Sequence, residues 1–190
     1  MSAVYTPTRY KLTIEDYHKL GEVGILNESS RVELIEGELI QMAPIGTSHV
    51  WAVTRLNHLL VQTVGDRAFV SPAGSVRMPP ISEPQPDFAL LRPPAHDSKP
   101  PAPHPENVLL IIEVSDTTLR YDRGRKLRLY ARSGIQEFWV VDVNARVVEC
   151  YRDPHDGTFR HKTVVGKGGE VSIAALPGTR IAVDAIFPEA

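Results

Sequence analysis

Three patterns of apolar and polar positions organise the chain. The first is the unbroken run. Val108 to Ile112 is five consecutive apolar residues, and Glu137 to Val143, EFWVVDV, holds a second such block. Runs of that kind mark strands buried on both faces. Between them Arg120 to Ser133, rich in Leu, Arg and Tyr, reads as a helix closed by Gly134 just past its C-terminus. Strand, helix and strand with a connection of this length make a βαβ-like unit, around which the rest is arranged. The second pattern is alternation. Residues 31–42, RVELIEGELIQM, read as a hairpin turning at Glu36-Gly37, an acidic relative of the Asp-Gly signal. A two-residue turn pairs Ile35 with Glu38 and Glu33 with Ile40, so all four share one face. Two acids among two isoleucines either look into a cleft or are exposed charges on an edge hairpin. The third is helical spacing. Ser48 reads as the N-cap of a helix to about Val64, with His49, Val53, Leu56, Leu60 and Thr63 as its buried stripe. His49 then opens the buried face, where a histidine is more often packed than catalytic.

The remaining segments are shorter. Thr13 begins a helix to Leu20, ending at Gly21, with Asp16 at the capping-box position usually held by Glu or Gln. Residues 67–78 are strand-like, broken near Pro72–Gly74. QPDFALL follows, a proline and an acid leading into an apolar strand. Residues 92–106 form a Pro-rich surface loop. Val147 to Arg152 pairs back on 138–143 across Asn144-Ala145, 153–157 turns, and the tail holds strands at 160–165, 170–173 and 180–183. The expected class is α/β (α+β), with a mixed sheet flanked by helices and an N-terminal hairpin. A single domain over 1–190 is expected, residues 1–12 being a flexible lead-in.

Composition fits a globular domain: 190 residues, 42% hydrophobic and 23% charged. The net charge of −2 advertises neither a nucleic-acid nor a membrane surface, although a local basic patch can hide in a neutral total. Cys150 is the one cysteine, which rules out an intrachain disulfide and a cysteine-based zinc site. With no signal peptide and no apolar run of spanning length, a cytoplasmic location is the expectation.

Candidate chemistry lies where acids interrupt these runs. Glu113 ends the central buried strand and shares a face with Leu109, Ile111 and Ser115. A carboxylate there is costly unless a cation or hydrogen bonds receive it. Asp122, Lys126 and Tyr130 are four apart on the following helix, so Lys126 stands above Glu113 if the helix packs back on the sheet. The bland alternative is a surface pair of Asp122 with Lys126. Asp87, after Pro86, shares its face with Ala89 and Leu91 and is a second carboxylate at a strand edge. Two carboxylates on neighbouring strands are what a hard divalent cation needs, and Mg²⁺ fills the rest of its octahedron with water and phosphate oxygens. A lysine beside them can orient a water or neutralise charge on a phosphate.

This order of residues resembles the PD-(D/E)XK nuclease superfamily, and within it the Uma2 family of restriction endonuclease-like proteins. The resemblance is carried by VELIEGELIQM with Pro44 and His49 after it, QPDFALL, IIEVSDTTLRYDRGRKLRLYARSGIQEFWVVD and IAVDAIF. It implies a restriction endonuclease-like core, Asp87 and Glu113 as ligands of Mg²⁺ (or Mn²⁺), and the Val114 carbonyl as a third. It also implies hydrolysis of phosphodiester bonds, in DNA, by a homodimer without membrane association. One departure stands out: Ser115, not lysine, lies two residues after Glu113. In Uma2-like sequences the lysine is displaced to the next helix, which makes Lys126 the catalytic candidate here. Glu33, Glu38 and His49 occupy family positions flanking the cleft, and Asp122 orients Lys126 or pairs with Arg125. The alternative is a nuclease fold without activity that binds nucleic acid or protein.

Overall fold

The computed structural model describes residues 8–93 and 102–187, which fall into two units: 8–42 with 78–84, and 43–77 with 85–187. The start of the expected flexible lead-in and the middle of the Pro-rich loop lie outside the described residues.

In the first unit, α1 (Ile14–Glu22) is capped by Thr13 as expected. Asp16 Oδ2 accepts from the Thr13 N–H at 3.0 Å and from its hydroxyl at 2.8 Å, which holds this carboxyl below its ordinary value. Asp thus fills the position where Glu is commoner. The helix runs through Gly21 rather than ending there. β1 (Val32–Ile35) and β2 (Glu38–Gln41) pair in the expected register, Ile35 with Glu38 and Glu33 with Ile40. Glu36 and Gly37 have φ of 53° and 79°, the left-handed pair that a two-residue hairpin turn demands. The exposed-edge reading of this hairpin does not hold. Glu33 is 3% exposed and Ile35 fully buried, because residues 78–84 fold over the hairpin: the Gly37 N–H donates to the Ile81 carbonyl at 2.7 Å, and the Glu83 N–H to that of Leu34 at 2.7 Å. Glu38 is half-buried and ion-paired with Lys11 at 2.8 Å.

The second unit is built on α2 (Thr47–Val64) and a six-stranded sheet: β3 (Phe69–Pro72), β4 (Phe88–Leu91), β5 (Val108–Ser115), β6 (Glu137–Asp142), β7 (Val147–His155) and β8 (Thr158–Val165), adjacent in that order. Only β5 and β6 run parallel, as the βαβ reading requires. Every residue of β5 and β6 is buried. Parity divides the sheet into two faces. Leu110, Ile112, Val114, Trp139, Val141, Val148 and Cys150 pack against α2. Burial pushes the Cys150 thiol up to about 12. The buried side of α2 is Ala52, Leu56, Leu60 and Val64, and its N-cap is Gly46 rather than Ser48. Leu56 and Leu60 were legible as core, but the stripe is rotated toward small Ala52, so His49 sits at the rim.

The opposite face is covered by residues 119–132: α3 (Leu119–Tyr121), a π-helical turn (Asp122–Lys126) and α4 (Leu127–Arg132). Gly134 follows at φ 79°, the left-handed residue that ends the helix. In the tail, β9 (Glu170–Val171) pairs with β10 (Ile181–Ala182), and α5 (Val183–Ile186) adds to the α2 side. The strand expected over 180–183 therefore stops at Ala182. Among the described residues, no helix is long and apolar enough to cross a membrane.

Candidate active site

The ladder between β4 and β5 ends at Phe88 opposite Ile112. β5 runs three residues further, leaving the Val114 N–H without a strand partner on that side. Asp87 supplies one: its Oδ2 accepts that N–H at 2.7 Å. A buried amide left unpaired is costly, so this bond fixes the carboxylate at the strand end. Within a strand, N–H and C=O of one residue leave on the same side, so the Val114 carbonyl opens toward Asp87 as well. Asp87 Oδ1 lies 3.1 Å from Nε2 of His49, in the first turn of α2. The hydrogen bond to Asp87 raises the His49 pKa, outweighing burial, and the charges of Asp87, Asp116 and Asp122 add to it. Nδ1 of His49 is buried with no hydrogen-bond partner among the described residues.

Glu113 projects from the face covered by residues 119–132 and is 4% exposed. Nζ of Lys126, itself 5% exposed, donates to its Oε1 at 2.9 Å, and the Tyr130 hydroxyl donates to the same oxygen. The surface-pair reading of Asp122 and Lys126 is thereby overturned, because both are buried and turned toward the sheet. Asp122 accepts instead from the hydroxyls of Ser115, at 2.7 Å, and Thr118. Burial raises the Asp122 pKa, against the lowering pull of Lys126 and the two hydroxyls, with Asp87 adding to the rise. Asp116 accepts from Asn144 Nδ2 at 2.8 Å through its carbonyl, a loop-bracing role.

The second unit therefore brings together Asp87, Val114, His49, Glu113, Ser115, Asp122 and Lys126. Glu33 and Glu38 stand in the first unit, with the partners given above. Two contributors escaped the sequence reading. Tyr130 is one, although its spacing of four from Lys126 put it on the right helix face. The other is a charged layer beside the pair: Arg123 donates to Glu149 Oε2 at 2.8 Å and to Asp142 Oδ2 at 3.0 Å, and Lys162 pairs with Glu149 at 2.7 Å. Register puts these acids on the Glu113 face, through Glu113–Val140–Glu149 and Ser115–Asp142. Their signal was an acid inside an otherwise apolar run, the same one that exposed Glu113.

Carboxylates and a main-chain carbonyl are hard oxygen donors. Among the described residues, no group of three or more His, Cys, Asp and Glu is disposed to hold a metal ion. The donor chemistry is of the type that an ion of the Mg²⁺ kind takes, with water completing its shell.

No curated protein matches the chain. Among solved structures it resembles one titled "Crystal structure of a putative nuclease belonging to DUF820 from Anabaena variabilis ATCC 29413", with a TM-score of 0.70 and 16% identity over 93% of this chain and 97% of that one. At that identity the likeness speaks for the fold, a restriction endonuclease-like α+β core. Residues 14–184 match the Uma2 family, described as "Putative restriction endonuclease", and the chain belongs to that family.

Proposed function

We propose that this protein is a Mg²⁺-dependent nuclease, with Mn²⁺ as an alternative ion, that hydrolyses phosphodiester bonds in DNA. The observation that carries the reading is the Lys126 ammonium, buried 2.9 Å from Glu113, on a strand whose next amide is bound by Asp87. Membership of a family described as "Putative restriction endonuclease" and the likeness to a structure titled as that of a "putative nuclease" support it.

In this reading Asp87, Glu113 and the Val114 carbonyl would hold the ion, which would supply Lewis acidity and charge neutralisation at the phosphate. Lys126 donates to the attacking water or a non-bridging oxygen while the water oxygen bonds to phosphorus and gives its proton to solvent, and the bond to the leaving sugar oxygen breaks as that oxygen takes a proton from solvent. Ser115 has its hydroxyl hydrogen committed to Asp122. It ties the Lys126-bearing turn to β5 rather than serving as an acid. Tyr130 steadies Glu113, and His49 steadies Asp87. A homodimer would present one such site to each strand of a duplex, and sedimentation should then report twice the 21.1 kDa of the chain.

The competing reading is an inactive nuclease fold that binds nucleic acid or protein. It draws on the same pair, since Lys126 and Tyr130 already satisfy Glu113 internally. Cleavage assays on duplex, single-stranded and RNA substrates with Mg²⁺, Mn²⁺ or chelator decide between them. Cleavage is expected with either metal, falling about a hundredfold or more in Asp87→Asn, Glu113→Gln and Lys126→Met, whose folds are checked by circular dichroism. Absence of hydrolysis by the wild type on every substrate would sink the nuclease reading.

A further inference from the structure

Residues 119–132 carry five arginines beside Lys126 and a single acid, Asp122, in a chain whose net charge is −2. Not all of these cations are available. Arg123 is held by Glu149 and Asp142, and Lys126 by Glu113. Arg120 and Arg128 differ: both are exposed, and neither has a hydrogen bond or ion pair among the described residues. They lie eight residues apart, one on each side of the π turn. Gly124 stands midway between them, where an added Cβ would meet nothing within 4 Å. Gly124, with open space over it, thus lies four residues from an exposed arginine on either side, while Lys126 in the same turn is directed inward to Glu113.

Like charges gathered on one helix repel, so this arrangement does not help the helix itself. It has the form of an anion-binding surface. Guanidinium always carries its charge and grips phosphate oxygens through paired N–H donors. The buried acids of the sheet neutralise Arg123 and Lys126, and Arg120 and Arg128 remain for a partner.

We infer that Arg120 and Arg128, flanking Gly124 on the outer side of the π turn whose inner side carries Lys126, bind the phosphate backbone of duplex DNA. The inference rests on the nuclease reading and adds to it the surface that receives the substrate.

The test is fluorescence anisotropy of a labelled duplex against salt concentration, with chelator present so that nothing is cleaved. The wild type is compared with Arg120→Gln, Arg128→Gln, the double variant and Arg180→Gln. Arg180 pairs with Glu170 in the tail, on the α2 side of the sheet, and serves as the control. The slope of log K against log salt should fall by about 0.9 for each lost phosphate contact, hence about 1.8 in the double variant, and stay unchanged in the control. Melting curves should be unaltered, since both side chains are exposed. A double variant with wild-type slope and affinity overturns the proposal, as does preference for an acidic polypeptide or for duplex RNA over duplex DNA. Loss of slope in a protein that never cleaves DNA would preserve this surface and remove the nuclease reading, so the two fail separately.

Discussion

Glu149 is 3% exposed, yet its carboxyl lies below the ordinary glutamate value. Burial alone would raise it. Hydrogen bonds from Arg123, Lys162 and Tyr151 outweigh that cost. A carboxylate whose folded pKa is depressed contributes stability above its unfolded value, about 4.3, and that contribution disappears as pH falls through the folded value. Melting temperatures of wild type and Glu149→Gln should therefore differ most near neutrality and converge as the pH drops below about 4. A constant gap down to pH 2 would show that the carboxylate's charge is not what matters. At this scale the sequence was informative wherever an acid broke an apolar run: Asp87 and Glu113 stood out for that reason, and Lys126 followed from helical spacing. Asp142 and Glu149 interrupt runs in the same way, but their partner Arg123 sits on the next face of the helix, which spacing alone does not connect to them. The His49–Asp87 contact joins residues 38 positions apart, and no local pattern encodes such a meeting.

The helical segment 119–132 was legible in extent, from its composition and from Gly134, but not in its internal geometry. A π turn inserts a residue into the helix without changing composition, and such turns gather at functional sites. Here Asp122 and Lys126 within the turn are buried toward the sheet, as their spacing of four allows, while Gly124 between them has open space over it. Gly124 does not have a positive φ and has room for a methyl group, so its lack of a side chain is a backbone liability. Gly124→Ala should raise stability by about 0.5–1 kcal/mol in urea denaturation, by restricting the unfolded chain and favouring helix. A loss of stability of similar size would mean that the π turn itself depends on glycine. On α2, the apolar residues cover enough of the circumference that two adjacent stripes fit the period. Packing against Leu110, Ile112 and Val114 selected the one containing Ala52.

For the molecule as a whole, the net charge was the least informative number, because buried acids on β6 and β7 balance a basic helix and conceal its outer arginines. The parallel β5–β6 pair and the antiparallel return of β7 were readable from runs and turns, whereas the antiparallel pairing of β4 with β5 was not. The covering of the hairpin by residues 78–84, more than forty positions downstream, was not. Metal binding is also tested best on the intact chain, by its effect on unfolding. An ion held only by the folded protein adds about 2.7 kcal/mol at a hundredfold excess over its Kd. In a chain of this size that amounts to a rise of about 5–10 °C in melting temperature. The rise should appear with Mg²⁺ or Mn²⁺ and vanish when Asp87→Asn and Glu113→Gln are combined. An unmoved wild-type melting temperature in excess of both ions would remove the cation from the mechanism.

Cys150 gives experimenters a built-in reporter. Its sulfur faces the α2 side from the middle of β7, 5% exposed and with its ionisation pushed far above neutrality, so an alkylating or chromogenic reagent should find almost no thiolate in the native protein. Labelling can proceed only when β7 parts from its neighbours, which makes the modification rate a clock for opening of the central sheet. A cysteine introduced on the surface would then be the one site that reacts at once, free of background from the native thiol.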